Sequence, residues 1–287
     1  DSEFGFLVSE RGSTCTWSGN SRENRITPFS NDPVSDPSGE SIYITDLESG
    51  EKWSPTPGPM KGPEPYMIRH GQGYTHFENN NYEVSQRLSM CCPSDKEVKV
   101  CQLILKNESN NARKLSIFYY IELVLGSQRA KTAHHITTEQ GKTQNVFLAR
   151  NSYNEEYGKR ITYVASSEPV LSFTCDRRSF LGTKGDYQNP SGINEKKLDQ
   201  QNGAGLDPCF ALQVVIELAP NEEKEINFLL GQASSEATIY PIIENIFDKD
   251  GISNEFKQVN KFWDNILTSI QVKSPFPEFD ILMHRWL

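Results

Sequence analysis

Apolar and polar side chains alternate every second residue through most of the chain between Ser41 and Gly231. Leu115, Ile117, Tyr119, Ile121, Leu123 and Leu125 give the longest such run, the pattern of a half-buried strand. The same period predicts strands at Tyr82–Met90, Val98–Lys106, Asn145–Arg150, Ile161–Ala165, Val170–Cys175, Phe210–Leu218 and Glu225–Leu230. Pro93-Ser94-Asp95 and Pro220-Asn221 supply turns between neighbouring strands. Many strands with hairpin-scale links predict a mainly β fold, an antiparallel sandwich rather than a parallel sheet. The stretch from Leu181 to Leu206 breaks the pattern: it is rich in Gly, Asn, Gln and Lys, with Ile193 and Leu198 almost its only apolar residues. A loop of about 25 residues inside a compact domain is usually functional or disordered.

After Ala233 the period becomes helical. Tyr240, Ile243, Ile246 and Phe247 share one face, with Pro241 tolerated only in the first turns. Ser253 or Asn254 is the expected cap of a second helix, whose stripe of Phe256, Val259, Phe262, Trp263, Ile266, Leu267 and Ile270 is expected to pack on the sandwich or a neighbouring helix. Ser274-Pro275-Phe276-Pro277 opens a third helix carrying Phe279, Leu282, Met283 and Trp286, and the chain ends at Leu287 without a C-terminal cap. The expected organisation is a sandwich over 1–233, linker helices over 234–273, and the start of a truncated further domain over 274–287.

A formal charge of −9 and a pI near 5.2 argue against nucleic acid or an anionic membrane as partner. The 36% hydrophobic content is enough for a core, and disorder is not indicated. The longest apolar run, Leu115–Leu125, is interrupted by Glu122 and far short of the ~20 residues that span a bilayer. The opening Asp-Ser-Glu is not a secretory signal. Cys15, Cys91, Cys92, Cys101, Cys175 and Cys209 lack disulfide or zinc spacing, and reduced buried thiols in a cytoplasmic protein are expected. His134-His135 has no acidic partner spaced for a metal, and the sequon Asn107-Glu108-Ser109 is a chance-level match.

Candidate chemistry gathers between Trp17 and Pro57. Loop-forming sequence there holds Asn20, Arg22, Glu23, Asn24, Arg25, Asn31, Asp32 and Asp36, bracketed by Trp17 and Trp53. Aromatic faces cover the C–H faces of a pyranose, and bidentate Arg, amides and carboxylates bind its hydroxyls. Trp17 and Trp53 also suit plain core packing. Arg22, Arg25, Arg69 and His70 suggest an anion cluster, with His70-Gly71-Gln72-Gly73 letting backbone approach a ligand. Alternatively, Arg22 and Arg25 pair with Glu23, Asp32 or Asp36 to hold the loop rigid, and the two roles are compatible.

The segments NSRENRITPFSNDPVSDPSGE (20–40), WSPTP (53–57), RHGQGYTHFE (69–78), DRRSFLG (176–182), GAGLDPCFALQ (203–213), LAPNEEKEINFLLGQA (218–233) and FPEFDILMHRWL (276–287) run in order along essentially the whole chain. Together they resemble the N-terminal sandwich region of glycoside hydrolase family 94 phosphorylases. The resemblance is greatest to the phosphorylase-type region of cyclic β-1,2-glucan synthases and to 1,2-β-oligoglucan phosphorylases. It implies a large supersandwich of the galactose mutarotase-like class, packed on a helical barrel that begins near the end of this chain. It further implies sandwich loops that border the active site, supplied by the neighbouring subunit in dimeric members.

The implied reaction of the parent is inverting, reversible phosphorolysis of β-glucosides to α-glucose 1-phosphate. Inorganic phosphate is then the co-substrate, and no further cofactor is implied. The family's general acid is an aspartate of the barrel, so Glu23, Asp32, Asp36 and Glu40 are not matched to it and no catalytic or metal residue is expected here. The expected substrate-binding set is Trp17, Asn20, Arg22, Glu23, Asn24, Arg25, Asp32, Arg69 and His70. Expected partners are a β-glucan oligosaccharide, expected to be β-1,2-linked, the chain's own barrel and a second subunit; a synthase parent would place the module on the cytoplasmic face of the inner membrane. Two other readings stay open: a free-standing carbohydrate-binding module, and a mutarotase-like enzyme using His70, His76 and Glu78.

Overall fold

The computed structural model describes residues 3–32 and 34–285. In chain order the strands are β1 (Phe4–Val8), β2 (Thr14–Ser18), β3 (Glu40–Asp46), β4 (Lys52–Trp53), β5 (Met67–His70), β6 (Tyr74–Asn81), β7 (Val84–Cys91), β8 (Val98–Asn107), β9 (Arg113–Glu122), β10 (Ile136–Gln140), β11 (Val146–Asn151), β12 (Ile161–Ser166), β13 (Val170–Asp176), β14 (Pro208–Leu218) and β15 (Glu223–Ala233). The helices are α1 (Arg129–Thr132), α2 (Arg177–Leu181), α3 (Glu236–Phe247), α4 (Gly251–Leu267) and α5 (Pro277–Arg285). An eight-stranded sheet, β10-β11-β12-β15-β8-β7-β6-β5, faces a five-stranded sheet, β13-β14-β9-β3-β4, and β1-β2 form a separate ribbon. Every pairing is antiparallel.

The period-two pattern explains both faces. Ile117, Tyr119 and Ile121 of β9 point inward with Ile42, Ile44, Leu212 and Val214, against Leu88, Cys101, Leu103, Phe228 and Leu230 of the larger sheet. Phe118 and Tyr120, the alternate residues of β9, point outward. They are covered by Phe180, Leu181, Ile193 and Leu198, so the apolar-poor stretch 181–206 lids the outer face of the five-stranded sheet. Phe180 stacks on Tyr120 with centroids 5.1 Å apart and planes within 9°. On the other side, α3 and the start of α4 cover part of the larger sheet through Ile239, Ile243, Ile246, Ile252 and Val259.

Two expectations change. Helix α4 starts at Gly251, earlier than the Ser253 or Asn254 cap, because Asp250 adopts a left-handed φ of 66° that turns the chain directly out of α3. Only the first part of its apolar stripe is buried: Phe262, Trp263, Ile266 and Ile270 stay exposed, as do Phe276, Phe279 and Leu282 around α5. Periodicity shows which side chains share a face, not what covers it. Trp286 lies outside the described residues. The sequon is also closed to modification: Asn107 is fully buried, and its Nδ2 donates to the carbonyls of Asn111, Leu218 and Ala219 at 2.7, 3.1 and 3.1 Å.

Candidate functional site

Antiparallel register sorts the connections into two unlike ends. At one end the links 47–51, 82–83, 108–112, 141–145, 167–169 and 219–222 are turns of two to five residues, and the longer 54–66 connection enters β5 there, its Glu64 N–H donating to Asn81 Oδ1. At the other lie 19–39, 71–73, 92–97, 123–135, 152–160 and 177–207, most of them long. Backbone hydrogen bonds tie this loop end together: Arg25 N–H to the Gly126 carbonyl, Glu122 N–H to Gly39, Leu123 N–H to Pro208, Thr138 N–H to Gly203 and Arg177 N–H to Asp207. Binding chemistry concentrates on such loops held by a rigid scaffold.

An ion network fixes the loop end. Glu122 meets Arg129 Nε and Arg177 Nε, each at 2.9 Å, and accepts hydrogen bonds from Tyr120 (3.1 Å) and Tyr187. Asp207 pairs with Arg129 and lies 3.7 Å from Arg177 Nη1. Burial and the Glu122 charge push the Tyr187 hydroxyl up to about 12, keeping it a donor. Two guanidinium groups balance two carboxylates, which suits a brace better than an anion cradle. Its signal lay in the words DRRSFLG and GAGLDP, but pairs 55 and 78 residues apart cannot be read from spacing.

The expected substrate-binding residues divide among several roles. Asn20 Oδ1 accepts from the Arg22 and Glu23 N–H groups, so it shapes its own turn. Arg22 and Glu23 are exposed and pair with each other at 3.2 Å. Asn24 is buried, and its Nδ2 donates to the Ser18 carbonyl and Gln232 Oε1, both at 2.7 Å. Arg25 donates to the carbonyls of Ser21 and Ser127 and sits 5.3 Å above the Phe29 ring. Asp32 accepts from Val34 and Ser35; the Ser35 hydroxyl and these backbone N–H groups hold its carboxyl below the usual range.

Arg69 and His70 stand on edge strand β5, where Arg69 pairs with Glu78 at 3.2 Å and His70 Nδ1 lies 3.1 Å from Thr75 Oγ1. Among the described residues no hydrogen bond or ion pair joins them to Arg22 or Arg25, and each of the four has a partner of its own.

The glycines of 70–73 also serve packing. A Cβ on Gly73 (φ +79°) would lie 2.3 Å from Trp263 Nε1 and 2.6 Å from Val259 Cγ1, so the close approach admits α4. Trp17 is half-buried and lines an apolar groove of about 580 Å³ with Phe6, Tyr74, Phe262 and Trp263. Trp53 is core: it is fully buried, and Nε1 donates to Gln86 at 2.7 Å. His76 is covered by Phe256, their rings 6.2 Å apart, so His70, His76 and Glu78 do not converge on an open face.

Glu40 is a buried anchor. Thr16 and Thr27 donate to its Oε1 at 2.6 and 3.0 Å, and Lys99, itself fully buried, pairs with Oε2. Burial alone would raise this carboxyl, but the Lys99 charge and the hydrogen bonds outweigh it and hold it below the usual range. Among the described residues no group of three or more His, Cys, Asp or Glu is placed to hold a metal ion.

Two facing antiparallel sheets with helices on an outer face define the chain as a supersandwich module. A bacterial glucoamylase solved with acarbose shares the fold at a TM-score of 0.58 and 9% identity, over 93% of this chain and 36% of that one. The family model described as the supersandwich domain of glycosyl hydrolase 94 matches residues 1–249, and the chain belongs to that family. A cyclic β-(1,2)-glucan synthase of Rhizobium meliloti (strain 1021) is 29% identical over 99% of this chain and 10% of its own length. An N,N'-diacetylchitobiose phosphorylase of Vibrio proteolyticus is 24% identical over 92% of this chain and 34% of its own length. The chain thus spans about a tenth to a third of these relatives. No helix among the described residues is long and apolar enough to cross a membrane.

Proposed function

We propose that this module belongs to a β-glucan phosphorylase or cyclic β-1,2-glucan synthase, and that its loop end borders the sugar site. The observation that carries this is convergence: NSRENR, DRRSFLG and GAGLDP, far apart in sequence, are bound together at one end around 122–138. The names of the relatives, a β-1,2-glucan synthase and a chitobiose phosphorylase, supply the ligand class: a β-linked oligosaccharide. The reaction assigned to the whole parent is inverting phosphorolysis with inorganic phosphate as co-substrate.

Catalysis then rests on residues outside this chain. A general acid needs a carboxyl raised toward working pH, whereas Glu40 and Asp32 are both shifted downward. The exposed apolar row on α4 and α5 is the face assigned to the parent's helical barrel. In a dimeric parent, the same loop end would reach the neighbouring subunit's site. The test is an assay of this chain with β-1,2-glucan and phosphate. It should release no glucose 1-phosphate, and turnover above background would overturn the assignment of the acid elsewhere.

A further inference from the structure

The loop end carries an aromatic surface that the sequence reading passed over. Tyr153, in the β11–β12 loop, is 71% exposed, yet it is not on a loose tether. One face of its ring lies on His135, with centroids 4.0 Å apart and planes within 9°, and His134 packs behind at 4.1 Å. The Tyr153 N–H donates to Asn151 Oδ1, whose Nδ2 donates to the Leu125 carbonyl at 2.9 Å. Further along, Asn154 Oδ1 accepts from the Glu156 and Tyr157 N–H groups, and the Tyr157 ring lies against Gly19, where a Cβ would come within 2.8 Å. The loop is therefore braced by both 122–135 and the 19–39 segment. A ring fixed from behind and open in front costs little entropy when a second flat surface covers it.

We propose that Tyr153, backed by His135, is a stacking platform for one pyranose ring of a β-linked glucan, outside the expected substrate-binding set. The ligand class rests on the function proposed above; the platform itself rests on the geometry. Its phenol face takes the C–H face of the sugar, and the hydroxyl remains free at the ring edge.

The test is a titration of the full chain with sophorose-series oligosaccharides, following the Tyr153 ring protons. The range should reach roughly ten times a millimolar Kd. The platform predicts that the ring protons shift on binding. Affinity should fall about tenfold or more in Tyr153→Ala, less in His135→Ala, and remain within about twofold in Tyr153→Phe and in Glu48→Gln at the opposite end. Sugar binding that is unchanged in Tyr153→Ala would overturn the platform and leave the loop-end reading standing. A wild-type chain whose Tyr153 protons never shift would overturn the platform as well. The loop-end reading falls separately, if sugar perturbs residues at the short-turn end instead.

Discussion

Replacing Lys99 with Met should cost this fold a large part of its stability, with a pH signature that a simple packing defect lacks. Met keeps the volume but strands the Glu40 carboxylate, which is fully buried among Thr16, Thr27 and Tyr119. Breaking one side of a buried ion pair costs about 3–5 kcal/mol, a large share of a typical total of roughly 5–15 kcal/mol.

In the wild type the Glu40 carboxyl lies below its ordinary 4.5. Its contribution is therefore fully present above that value and is lost as pH falls through the lower folded value. Without Lys99, burial dominates and the folded value moves above 4.5, so the slope reverses. Stability of Lys99→Met should rise by about 1.4 kcal/mol per pH unit as pH falls through that window. Urea unfolding followed by tryptophan fluorescence at several pH values between 5 and 8.5 (roughly the range in which a stranded buried carboxyl titrates) measures both quantities. A loss under about 1 kcal/mol, or a variant that tracks the wild-type pH profile, would refute the buried-pair reasoning. Because Glu40 accepts from Thr16 and Thr27, the variant should also exchange amide hydrogens faster around residues 19–29.

Further expectations concern other parts of the fold. Asn107→Ala removes the Nδ2 hydrogen bonds to the carbonyls of Asn111, Leu218 and Ala219 and those that Oδ1 accepts from Ser109, and should lower stability by about 2–4 kcal/mol in urea titrations. Tyr187→Phe removes one bond to Glu122 and should cost about 1 kcal/mol while speeding proteolysis within 183–206. Burial pushes the Cys15 and Cys101 thiols up to about 11 and those of Cys92 and Cys175 up to about 12; the native chain should resist a disulfide thiol reagent at pH 8, and all six thiols should react once it is unfolded. Ile270→Ser, on the uncovered apolar row, should change stability by less than about 0.5 kcal/mol, as read by thermal melting.

The sandwich was largely legible because period-two burial is a local property: Leu115, Ile117, Tyr119 and Ile121 announce one face of β9 without reference to any partner. The family was legible from whole segments. What those segments do was not, since their roles depend on pairing across the fold. Arg25 reads as a ligand group until Ser127 and Phe29 occupy it, and Gly73 reads as a ligand approach until Trp263 fills the space. The lid over Phe118 and Tyr120 was hidden because Ile193 and Leu198 follow no period. Tyr153 escaped notice because an isolated tyrosine in a polar loop carries no signal until His135 is found behind it.

Amide chemical-shift mapping of the chain with linear β-1,2-glucan oligosaccharides locates the sugar on the fold. Shifts are expected within 19–29, 126–135 and 152–160, with 47–51, 108–112 and 219–222 silent. Shifts centred on those short turns, or on the polar recess around Glu78, Arg87 and Lys106, would contradict the loop-end reading.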